Sequence, residues 1–107
     1  MEARAHFDLV TAEMLVYEHV DPGKMMNCDG IRYKSKVFAF YWKDQMIFRL
    51  GKGYDPATRG ITEWEWLNPF KNKPPMKGWY VIPVAYAEHW GDLADLALQV
   101  MKKELDK

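Results

Sequence analysis

The chain has 107 residues but only one cysteine, so no internal disulfide can form, as suits a reducing compartment. No apolar run approaches the roughly 20 residues that a bilayer-spanning helix needs, which excludes such a span. The opening MEARAHFDLV lacks a basic stretch followed by an apolar block. A secretory leader is therefore not expected, and a cytoplasmic location is. Histidine is scarce. His6, His19 and His89 stand far apart, with no Cys or carboxylate at zinc-like spacing, so surface or capping roles are expected and no metal. GxSxG, P-loop and GxGxxG patterns are missing, and Gly51-Lys52-Gly53 is too short for a phosphate loop. Cys28 has neither a CxxC partner nor an adjacent His and reads as a thiol buried in a strand. Asp55, Glu63 and Glu65 offer carboxylates, but nothing places two of them around a substrate. The expectation is a chain with no catalytic residues and no cofactor.

What is present is a globular composition, with 49% hydrophobic and 28% charged residues. Five Trp, six Tyr and five Phe can build a core without disulfide or metal, in a single domain spanning residues 1–107. The formal net charge is zero, yet it is segregated along the chain. Residues 1–21 carry −4, residues 22–83 carry +6 and the last 24 carry −2. A basic centre between acidic ends either forms a positive patch for an anionic partner or simply solvates a sheet and blocks its edges. Overall neutrality favours the second reading.

Periodicity predicts an amphipathic helix over residues 2–18, with Phe7, Val10, Met14 and Tyr17 at spacings of three and four. Asp21-Pro22-Gly23 is expected to stop it. Strands follow at Lys24–Cys28 and Ile31–Lys34 around an Asp29-Gly30 turn, then at Val37–Trp42 and Met46–Leu50. Alternation puts Phe38, Phe40 and Trp42 on one face and Val37, Ala39 and Tyr41 on the other. The bulkier set is expected to meet the helices, leaving Arg32, Lys34, Tyr41 and Arg49 nearer water. Residues 51–62 read as a loop with a helical turn at Pro56–Arg59. Further strands are expected at Glu63–Phe70 and Met76–Pro83, the latter with Trp79, Val81 and Pro83 on one side. A last helix starts near Ala85 or Asp92 and runs to about Leu105, with a stripe of Leu93, Leu96, Ala97, Val100 and Met101. The fold class is α+β in two layers: an antiparallel meander of five to six strands with N-terminal and C-terminal helices packed on it.

The stretch DGIRYKSKVFAFYWKDQMIFRL resembles the strand meander of the TfoX N-terminal domain family. LNPFKNKPPMKGWYVIP looks like that family's later block, a Pro-Phe pair and a strand ending in Pro. HWGDLADLAL is similar to its closing helix, and the likeness covers about residues 24–101. It implies the compact α+β domain shared with MmcQ/YjbR-like proteins. It also implies a bacterial regulatory or interaction domain, without catalytic residues to carry over. In the family's regulators of DNA-uptake competence this domain is followed by a second, helical domain, which is not expected here, so the resemblance does not carry that role over.

Two candidate sites follow from the residues. The first is a basic sheet surface of Arg32, Lys34, Lys36, Lys43 and Arg49 for nucleic acid. The second is a small-molecule or enzyme site at the aromatic and loop region 51–66. There, Trp64 and Trp66 share a strand face beside Tyr54, with Lys52 and Arg59 at the rim. Opposing it is the view that these rings, like Trp79, only fill a small core. A nucleic-acid or protein partner is expected, with no membrane, for a monomer or weak homodimer.

Overall fold

The computed structural model describes residues 2–69 and 72–106. Helix α1 (Ala3–Met14) leads into strands β1 (Val20–Met25), β2 (Cys28–Tyr33), β3 (Lys36–Trp42) and β4 (Gln45–Arg49). A 3-10 turn at Pro56–Arg59 precedes β5 (Glu65–Leu67) and β6 (Met76–Pro83), and a 3-10 segment (Val84–His89) enters helix α2 (Trp90–Leu105). All pairings are antiparallel, in the order β1-β2-β3-β4-β6-β5. This is the predicted α+β arrangement.

Local chemistry explains the meander. Three two-residue turns, Met26-Asn27, Lys34-Ser35 and Lys43-Asp44, have left-handed φ values at both positions. That backbone matches the right-handed twist of the flanking strands. The last two turns stand where the sequence puts them. The first does not: Asp29-Gly30 lies inside β2, not in a turn, with Gly30 opposite Gly23 and Asp29 opposite Lys24. Pro22, expected to end the first helix, is a residue of β1. Because β1 is a sheet edge, the N–H that proline lacks can fall on its open side. The helix itself ends at Met14, short of residue 18, and turns at Met14–Tyr17 and Tyr17–Val20 carry the chain across. The strand expected at residues 63–70 is three residues long, and its predicted end at Phe70, like Lys71 in the connector, lies outside the described residues.

The largest correction concerns β3. Ile31 pairs with Ala39 and Arg32 with Val37, so Phe38 is an extra residue without a partner. This bulge interrupts the period of two. Phe38 therefore joins the helix-side core, whereas Phe40 falls into a second cluster on the opposite face. Tyr41, expected near water, packs on α1 with its ring 5.2 Å from Phe7. Gly30 leaves the room this requires. A Cβ there would come within 2.8 Å of the Ala39 carbonyl oxygen and 2.9 Å of the Phe40 Cβ.

The helix-side core joins Phe7, Val10 and Met14 of α1 to Met46, Phe48, Tyr80 and Ile82 of the sheet and to Trp90, Leu93 and Leu98 of α2. On the other face, Phe40, Ile47, Leu67 and Val81 are buried beneath partly exposed Met25, Val37, Trp42, Met76 and Trp79. Neither helix contributes a residue to this second cluster. The face expected to be polar is apolar.

Candidate functional site

Three of the five basic residues are engaged with carboxylates. Arg32 donates two hydrogen bonds to Asp21, at 2.7 and 2.9 Å. The Lys34 ammonium donates to Asp106 at 2.6 Å, beside the Tyr33 hydroxyl on the same carboxylate at 2.6 Å. Arg49 reaches Glu104 of α2 at 2.6 Å. The charges segregated in sequence are thus partly paired within the fold, with acids from both ends meeting bases from the centre. Lys36 and Lys43 make no ion pair among the described residues, and the Lys43 ammonium lies 4.6 Å from the centre of the Trp42 ring.

Hydrogen bonds from Lys34 and then Tyr33 hold the Asp106 carboxyl below its usual pKa. Arg32 does the same for Asp21, and Arg4 followed by Lys24 for Asp29. A carboxyl whose folded pKa is depressed adds stability that is complete above its unfolded value near 3.9 and fades as pH falls through the folded value. Urea midpoints should therefore fall as pH drops below about 5. Asp106→Asn should flatten that dependence, and equal slopes for wild type and variant would show that this latch does not contribute.

The aromatic set is brought together as predicted, but around a residue that the sequence did not single out. Tyr80 is fully buried, and its ring lies 4.9 Å from Trp64, 4.7 Å from Trp66 and 5.8 Å from Tyr54. Trp64 and Trp66 meet edge to face at 5.0 Å. Arg59 donates to the Tyr54 hydroxyl and to Asp92, both at 3.2 Å, whereas Lys52 is exposed. The 51–62 loop is tied down. The Tyr80 hydroxyl lies 2.7 Å from the carbonyl oxygens of both Gly51 and Tyr54, and its single proton serves one at a time. Asp55 caps the 3-10 turn through the Ala57 N–H, and Ile61 is fully buried. The rings mainly pack on one another, and the loop is anchored at Gly51, Tyr54 and Ile61.

A third feature is the one that the sequence reading missed. On the helix-free face, Met26, Cys28, Phe40, Trp42, Leu67 and Pro69 line a hollow of about 300 Å³. The Cys28 thiol donates to the Met26 carbonyl at 3.6 Å. A second hollow, where this face meets the C-terminal end of α2, is lined by Met25, Lys36, Val37, Arg49 and Trp79 together with Met101, Glu104 and Leu105. The missed signal was the apolar content of both alternating sets in residues 37–42, which fits a strand buried on two faces. A cleft between α1 and α2, about 310 Å³, has the opposite character: Glu13, Glu88, Asp92 and Asp95 line it. Among the described residues, no group of three or more His, Cys, Asp or Glu is arranged to hold a metal. Compared with family models, curated proteins and solved structures, the chain matches none of them.

Proposed function

We propose that this chain is a non-enzymatic binding domain of the TfoX N-terminal type, serving as a bacterial regulatory or interaction module. Its working surface is the helix-free sheet face. The observation that carries this reading is a set of large apolar side chains, Trp42, Trp79, Met25 and Met76, left half-buried around a cluster to which neither helix contributes a residue. Contiguous apolar surface of this kind marks interaction sites on small domains. Nucleic-acid binding has less support, because Arg32, Lys34 and Arg49 already hold carboxylates. A ligand site at Tyr54, Trp64 and Trp66 has less support too, because those rings pack around Tyr80.

The apolar dye anilinonaphthalene sulfonate should bind the native protein saturably. Amide shifts should centre on Met26, Cys28, Trp42 and Leu67. Met26→Asp should weaken binding by about 10-fold, the order expected for losing one buried apolar side chain. Absence of native-state binding, or shifts confined to Tyr54 and Trp64, would refute this reading.

A further inference from the structure

The hollow on the helix-free face ends at the β1–β2 turn, and that turn goes against local preference. Met26 has a φ of 52°, in the left-handed region, where Gly, Asn and Asp are the usual residues. Its long apolar side chain is 42% exposed, at the edge of a hollow whose lining is mainly apolar. Lys34 and Lys43 hold the same backbone in the other two turns, so what sets Met26 apart is its exposed apolar side chain, and flexible thioethers suit surfaces that adapt to a partner.

The charges around this face have a sign. Arg32 and Arg49 are neutralised by Asp21 and Glu104. Lys43 stands over Trp42, which lines the first hollow, and Lys36 lines the second beside the Arg49–Glu104 pair and the end of α2. Neither lysine has an ion-pair partner among the described residues. Glu65, opposite Val81 at the β5 edge, supplies the opposing charge. With the Arg49–Glu104 pair cancelling itself, the unpaired charges among these groups are the ammonium groups of Lys36 and Lys43 and the carboxylate of Glu65.

Resting on the reading of this face as the interaction surface, we infer that its occupant is an apolar segment of a partner protein flanked by carboxylates. Its apolar side chains fill the hollow beneath Met26, and its acids face Lys36 and Lys43. Nucleic acid would bring charge without apolar side chains for the hollow.

Two synthetic peptides of about 14 residues, with Leu and Phe at the same helical positions, make the test. One carries Glu at the flanking positions and the other Lys. Titrated against the full chain at low salt, the Glu peptide should bind about 5–10-fold more tightly, the order expected from two exposed ion pairs. The double variant Lys36→Glu/Lys43→Glu should reverse the preference. Equal affinities, a preference for the Lys peptide, or no binding by either would overturn the inference. So would concentration-dependent self-association in sedimentation that Met26→Asp abolishes, since the occupant would then be a second copy. If the dye binds and neither peptide does, the interaction reading stands and only the acidic partner falls. Loss of dye binding removes both.

Discussion

Phe40→Ala should cost about 3–5 kcal/mol, the range for truncating a fully buried aromatic ring, although no helix packs on the face that holds it. Phe40 is fully buried, and its neighbours in the second cluster are Ile47, Leu67 and Val81. Its ring lies 5.9 Å from that of Trp79. Deleting the ring removes the shared contact of β3, β4, β5 and β6 on that side. A domain of this size has about 5–15 kcal/mol of stability in total, so the variant should approach the folding limit. Tyr41→Ala, on the helix side, should cost clearly less. Tyr41 is partly exposed, and its hydroxyl donates to Asp44 across the exposed turn. Urea denaturation of the two variants gives the comparison. A loss below about 1 kcal/mol for Phe40→Ala would mean that the second face is a solvated surface and not a core.

Tyr80 carries the second large expectation. Tyr80→Ala should also cost about 3–5 kcal/mol, because the rings of Tyr54, Trp64 and Trp66 all rest on this side chain. Tyr80→Phe isolates the hydroxyl. It keeps the packing but removes the proton that the Gly51 and Tyr54 carbonyls share, leaving Gly51 only the 3.4 Å bond from the Tyr54 N–H, and it should cost about 1–3 kcal/mol. Tryptophan emission distinguishes the two variants. The Ala variant should shift to the red as Trp64 and Trp66 gain solvent, whereas the Phe variant should keep the native spectrum. Hydrogen exchange should then quicken across residues 51–55 in the Phe variant alone among conservative changes at this cluster. Unchanged exchange there would mean that the loop is held by its own 3-10 turn and the Gly78 carbonyl.

Residue chemistry determined the element types and their order. The 3.6-residue periodicity of Phe7, Val10 and Met14, and of Leu93, Ala97 and Met101, is a local property, and both helices formed where it runs. The Lys34-Ser35 and Lys43-Asp44 turns were legible for the same reason, since short polar pairs between apolar runs tolerate the left-handed backbone. Trp64, just before β5, and Trp66 within it both pack on the helix-side core, the shared side that alternation of two residues predicts.

Only the tertiary structure decided which face of the sheet is which. One unpaired residue, Phe38, reverses the alternation within β3, and nothing local to Val37–Trp42 announces it. The bulge is set by the partner strand, where Gly30 leaves room for the Phe40 Cβ. The same holds for charge. Sequence places Arg32, Lys34 and Arg49 in a basic centre, but their carboxylates come from residues 11, 72 and 55 positions away. Ion pairs at such separations exist only after the chain has closed. The helix-free apolar face, and the hollow under Met26, arise from both effects together. The bulge turns Phe40 away from the helices, and internal pairing takes up the guanidinium groups of Arg32 and Arg49.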